Sequence, residues 1–298
     1  MVESAASLSS AEDVRLAVRV PPLLQRLAAG AAAALLLSGV AFWNGFPLVY
    51  PDTSLYLGPF APSYRTPFYG LFGTVLHQNR TLWPIVLAQG ALAAWVLALC
   101  ARAVFGWTDA RRFFALVVAL CAFSSLPWFT GQLMPDVFAG LLVASLLLLG
   151  FARDRLARGE RDGLLVLATA SVLLHQSHVF LALALAPVCA VLARVRGLSP
   201  ARALVATAAP ALLAMPLLVL VNHAVHGRAV LSLDGATFYL ANSIHDGPAL
   251  ATLQRHCGRE RWALCARLDA LDDWPWEELL WHPEAPFSQA GGFAGLRD

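Results

Sequence analysis

The chain contains no lysine: all 21 of its basic residues are arginine. Charge of either sign is scarce. Only 13% of the 298 residues are charged, where a soluble domain carries about a quarter. An ordinary soluble domain is therefore excluded. The formal net charge of +2 offers nothing to attract nucleic acid. There is no GxGxxG, P-loop, GxSxG or kinase pattern, so soluble nucleotide chemistry has no support. No HExxH or CxxC pattern suggests zinc. No inverted repeat is evident, and no acid or base sits in the middle of an apolar run. Both absences weigh against a transporter.

What the chain has instead is apolar length. Hydrophobic residues make up 58% of it, with uncharged runs at 27–51, 81–101, 113–135, 137–152 and 163–193, and a further apolar run beginning at 203. Several reach the roughly 20 residues a helix needs to cross hydrocarbon. The expected architecture is an all-α polytopic membrane protein of about seven transmembrane helices. The expected spans are about 27–45, 82–104, 113–131, 135–152, 163–177, 179–194 and 203–223, within a transmembrane domain at 23–223. Residues 1–22 read as a cytoplasmic leader without a signal-peptide cleavage site.

The arginines orient this bundle. Arg15, Arg19 and Arg26 precede the first span; Arg102, Arg111 and Arg112 follow the second; Arg153, Arg155, Arg158 and Arg161 follow the fourth; Arg194, Arg196 and Arg202 precede the last. The positive-inside rule makes these connectors cytoplasmic. The run 163–193 would be about 46 Å long as one helix, too long for one ordinary crossing, and arginine clusters flank both its ends. It is expected to fold into two short spans turning near "HQSH", 175–178. The tail, 224–298, then becomes a small helical extracytoplasmic segment, and the location a bacterial inner (plasma) membrane.

This topology gathers the chemistry on one face. Asp52, Arg65, Gln132, Asp136 and all eight histidines fall on the outer side. Asp52 lies in "YPDTSLY", just past the first run, among Tyr50, Leu55 and Tyr56. A cap or a solvated loop residue is the plain alternative. An acid among apolar groups is otherwise a base or a metal ligand. The loop it heads, 46–81, is too apolar to hang in water and reads as one or two interfacial helices. Arg65, in "YRTP", is either a snorkelling residue or an anchor for phosphate, which the guanidinium fork binds well. Asp136, after Pro135, has a helix-start role as its competitor. His175 and His178 share a face if a helix continues through them. Asn222, His223 and His226 end the last span and could join the same pocket. Cys100, Cys121 and Cys189 lie in apolar runs as small core residues. Cys257 and Cys265, in "CGRERWALC", suit a disulfide if the tail is outside the membrane.

"YPDTSLY" followed by "YRTPFYGLF", together with "MPDVFAGLL" at 134–142, resembles the GT-C superfamily of integral membrane glycosyltransferases, in its polyprenyl-phosphate-sugar-dependent branch. The resemblance covers roughly 25–225 and implies a large first outer loop with interfacial helices. It also implies Asp52 as the catalytic base, with Tyr56, Arg65, Asp136, His175 and His178 as substrate-binding candidates. Many members carry paired acids in that loop where this chain has one, and members are usually longer. The chain therefore reads as a truncated or divergent member. The implied partners are a lipid-linked sugar donor and membrane lipid, with no nucleic acid; the oligomeric state is not indicated. No cofactor is assigned, and a divalent metal stays open. The competing readings are a transporter or flippase of a lipid-linked substrate, and a non-catalytic membrane assembly protein.

Overall fold

The computed structural model describes residues 22–58, 65–271 and 274–296. Apart from Pro22, the expected leader lies outside the described residues, as do 59–64 of the first loop. The described residues form helices, with no strand among them. The chain runs through α1 (Pro22–Leu37), α2 (Gly39–Asn44), α3 (Thr53–Leu57), α4 (Phe68–His77), α5 (Trp83–Phe105), α6 (Ala110–Phe123), α7 (Leu126–Gly131), α8 (Val137–Phe151), α9 (Arg158–Leu174), α10 (His178–Val195) and α11 (Pro200–His226).

Three of these, α5, α10 and α11, are long and apolar enough to cross a membrane, and α8 and the Leu24–Leu37 part of α1 are shorter apolar helices. The outward side chains of α10 and α11 fit that reading: Phe180, Val191, Val205, Leu212 and Leu220 are all exposed. Such a continuous apolar exterior belongs in lipid rather than water.

The helices start and stop for local reasons. The Asp109 carboxylate accepts from the Arg112 N–H at 2.8 Å and caps α6. The Glu160 side chain reaches back to the Ala157 N–H at 2.8 Å at the start of α9. Gly106 ends α5 with φ of 70°, a conformation glycine adopts without penalty. Two expected spans prove to be broken. The 27–45 segment divides at Ser38, whose N–H and hydroxyl both donate to the Ala34 carbonyl at 3.0 Å. The 113–131 segment divides at Ser124–Ser125, where the Ser124 hydroxyl bonds Leu120 O at 2.6 Å. The 163–193 run divides at 175–177 into α9 and α10.

Small residues let the helices approach. A Cβ on Gly90 of α5 would lie 2.7 Å from the Ala34 carbonyl oxygen and 2.8 Å from Ser38 Oγ. Gly90→Val should therefore push α1 from α5 and cost about 1–3 kcal/mol by overpacking. A melting temperature in detergent equal to that of the parent would refute this contact. Towards the start of α1 the two helices splay, and a Cβ on Gly30 would meet nothing within 4 Å.

Beyond α11, the tail forms α12 (Gly235–His245), α13 (Pro248–His256), α14 (Trp276–Trp281), α15 (Pro286–Gln289) and α16 (Gly292–Gly295). These close over a core of their own that includes Ile244, Leu253, Leu264, Leu271, Leu279 and Phe287. Cys257 and Cys265 are joined by a disulfide.

Candidate functional site

The position of Asp52 is set by backbone bonds on either side of it. Upstream, the Leu48 N–H donates to Gly131 O, and the Leu133 N–H donates to Leu48 O, each at 2.9 Å. This short parallel bridge ties the chain after α2 to the α7–α8 connector. Next, the Tyr50 N–H donates to Thr53 Oγ1 and the Thr53 N–H to Tyr50 O, both at 2.9 Å. Asp52 thus arrives at the N-cap position of α3. Its carbonyl accepts from Leu55 and Tyr56, while its carboxylate makes no capping bond. The carboxylate instead forms an ion pair with Arg65.

Arg65 is placed by its neighbour. The Thr66 hydroxyl donates to the Leu173 carbonyl in the last turn of α9 at 2.6 Å, and Thr66 is buried. This bond holds the start of the second half of the loop against the α9–α10 turn. The Arg65 guanidinium lies over the Tyr56 ring, 4.8 Å from its centroid. That is a cation–π geometry, and it fixes the plane of the fork. The side chains of Arg65 and Asp52 keep 18% and 39% of their exposure, so the pair can be reached from outside.

Tyr56 is 2% exposed and stands between Tyr69 and His175, each with ring centroids at 6.0 Å. Burial pushes its phenol up to about 12, with Arg65 acting in the opposite sense. It is a neutral hydrogen-bond donor at neutral pH. His175 stands in the turn after α9, and its Nδ1 lies 2.7 Å from the Ser177 hydroxyl. His178 opens α10, with its ring centroid 5.1 Å from that of His175. The chain turns here, between α9 and α10, and the turn rather than a shared helical face brings the two histidines together. His178 Nδ1 lies 2.7 Å from the Ser171 carbonyl. A carbonyl only accepts, so Nδ1 carries the proton, leaving Nε2 for another partner.

Burial, the nearby His178 and Arg65 lower the His175 imidazole to about 4. The ring is neutral at pH 7. The unfolded chain would take up this proton near the ordinary value of about 6.5. Between those values the unfolded state binds more protons, so stability contributed by His175 is present above about 6.5 and is lost as pH falls towards 4. The melting temperature should accordingly drop across that window, and His175→Gln should flatten the drop. An unchanged pH slope in the variant would assign the effect to another group.

Asp136 takes the N-cap position of α8 without a side-chain capping bond, so its carboxylate is not spent on the helix start. It is exposed, and close enough for its charge to act on Tyr56 and Tyr69. The structure therefore brings Asp52, Tyr56, Arg65, Asp136, His175 and His178 to one end of the helices. A cleft of about 30 Å³ lies among Tyr56, Arg65, Thr66, His175 and Gln176, room for about one water. Asn222 does not join it: its amide donates to the Val230 and Leu231 carbonyls at 2.8 and 3.2 Å, while His223 and His226 are exposed. Among the described residues no group of three His, Cys, Asp or Glu converges on a metal position.

Four supporting residues escaped the sequence reading. Gln89, fully buried in α5, accepts from the Tyr69 hydroxyl at 2.9 Å and donates to Thr130 O and Gln132 O at 3.0 and 2.8 Å. It joins α4 and α5 to the connector that holds Leu48. Thr66 fixes the loop, and the Ser232 hydroxyl, on the tail, donates to Gln176 Oε1 at 2.8 Å. A lone amide within an uncharged run was the available signal for Gln89, because a polar group buried there must find partners. Comparison with protein-family models, curated proteins and solved structures returned no match.

Proposed function

We propose that the protein is a membrane glycosyltransferase of the kind that the GT-C resemblance implies. It moves a sugar from a polyprenyl-phosphate donor to an acceptor hydroxyl at the extracytoplasmic face. The observation that carries this reading is the pairing of one carboxylate with one guanidinium, next in sequence to the residue that bonds one end of an apolar groove. The groove has a volume of about 390 Å³ and runs between α4, α5, α8 and α9, past Phe68, Phe72, Trp95, Phe138 and Leu173. Its Leu173 end is where Thr66 bonds α9, one residue from Arg65. A hydrocarbon tail in the groove would deliver its phosphate to Arg65 and its sugar to Asp52.

The chemistry balances with those groups alone. Asp52 takes the proton from the acceptor hydroxyl, whose oxygen attacks the anomeric carbon from the face opposite the phosphate. The bond from that carbon to the phosphate oxygen breaks, and its electron pair leaves with the lipid phosphate. Arg65 stabilises the charge that develops there, and the neutral Tyr56 hydroxyl and His178 are the nearby hydrogen-bonding groups. The topology belongs to the same reading: seven crossings, an N-terminus in the cytoplasm and the tail outside. Four further segments, none a span by length and composition, complete the seven with α5, α10 and α11: α1 with α2, α6 with α7, α8, and α9. The Cys257–Cys265 disulfide supports an oxidising location for the tail.

The direct test uses proteoliposomes holding the purified protein, a polyprenyl-phosphate sugar and a panel of acceptors. Free polyprenyl phosphate and a glycosylated acceptor should appear in equal amounts. Movement of intact donor across the bilayer without cleavage would establish a flippase instead, and neither event would end both readings.

A further inference from the structure

A second and larger groove lies at the other end of the helices, away from Asp52. It has a volume of about 680 Å³ and is bounded by α1, α5 and α6, within the range of about 300–1,000 Å³ typical of small-molecule sites. Its shape follows from the splay of α1 and α5. The helices touch at Ala34 and Gly90, and open towards Gly30, above which there is free space. Alanines line the groove, Ala94 and Ala98 within it and Ala31 and Ala91 along its exposed edges, so the channel is narrow, smooth and apolar. Trp95 lines both this groove and the one that ends near Arg65.

The mouth is charged, and the charges are not equivalent. Glu160 is engaged by Arg102 at 2.5 Å and by the Ala157 N–H. Asp109 is engaged by Arg112 at 3.4 Å and by the helix start. Both acids at the mouth are thus already neutralised. Arg26, on the first turns of α1, is exposed and has no acidic partner among the described residues. Among the described residues, the opening therefore presents one uncompensated positive charge above a greasy slot.

From this geometry we infer that the groove is a binding site for a membrane phospholipid with an anionic headgroup. One acyl chain lies along the alanines between α1 and α5, and the headgroup phosphate rests on Arg26. The site is separate from the Asp52 cluster, and it does not depend on what that cluster does. A charge at a headgroup position discriminates between lipids by its own sign, while the slot itself accepts any slender hydrocarbon.

Native mass spectrometry of the full chain in detergent, with added phosphatidylglycerol or phosphatidylcholine, tests the assignment. The parent should retain one more phosphatidylglycerol than the Gly30→Phe variant, which fills the slot where no atom stands in the way. Ala91→Phe, on the exposed lip, serves as a second filling variant. Arg26→Gln should keep the lipid but erase a roughly five-fold preference for the anionic headgroup. Equal retention of both lipids by the parent, or full retention by both filled variants, would overturn the inference. So would lipid that binds only after residues 1–21 are removed, because the chain's own N-terminal segment would then be the occupant. Sugar transfer plays no part in these readouts, so the site stands or falls apart from the proposed enzyme.

Discussion

Asp52→Asn is expected to abolish sugar transfer while leaving a folded, membrane-inserted protein. Loss of a positioned general base typically costs about 10²–10⁴-fold in rate, and this loop contains no second acid to substitute. Asparagine keeps the shape and the backbone bonds that place residue 52, since the carboxylate makes no capping bond. The fold should lose little, because the Asp52–Arg65 pair is partly exposed and such pairs contribute only about 0–1 kcal/mol. The measurement is single-turnover transfer from a labelled polyprenyl-phosphate sugar, alongside the melting temperature. Transfer within about ten-fold of the parent would remove Asp52 from the role of base, given the range expected for such a group. Asp136→Asn provides the contrast: its carboxylate is exposed and lies outside the Asp52–Arg65 pair, so it should reduce transfer far less.

The arrangement behind that prediction is legible in the sequence only in part. Apolar length marks where the helices lie, and α5, α10 and α11 are long and apolar enough to cross a membrane. The division of 163–193 at "HQSH" follows from its length, about 46 Å as one helix, and from the arginine clusters at both its ends. The breaks at Ser38 and Ser124–Ser125 are not legible, since serine within an apolar run is compatible with an unbroken helix. Thr130, whose hydroxyl bonds Leu37 O at 2.6 Å, lies over 90 residues from the Ser38 break, beyond the reach of any periodicity. The candidate residues are visible as the few polar groups in apolar surroundings. Their assembly is less so: Asp52 and Arg65 are joined through a loop, and what brings them to His175 is Thr66 bonded to Leu173, a contact across 107 positions. The His175–His178 pair is legible as two close histidines at the expected turn, but it is the turn itself, not a shared helical face, that brings their rings together.

The second large effect concerns Arg65, and it has a sign that the ion pair dictates. The guanidinium is paired with Asp52, so under the proposed function an incoming lipid phosphate would compete with the carboxylate for the same fork. Removing the competitor should make Arg65 more available: Asp52→Asn is expected to bind the donor more tightly than the parent even as it fails to transfer the sugar. Arg65→Gln should do the opposite on both counts. It removes the cation at the leaving phosphate, an effect worth about 10²–10³ in rate at comparable anion sites, and it weakens donor binding. Arg65→Lys should restore part of the binding through its charge but little of the rate, because a point charge lacks the planar fork and the stacking on Tyr56. The double variant separates the two contributions. If Asp52 and Arg65 compete as described, Asp52→Asn in the Arg65→Gln background should no longer tighten donor binding. Equal tightening in both backgrounds would mean that the carboxylate repels the donor phosphate directly, and that the ion pair does not gate access to Arg65.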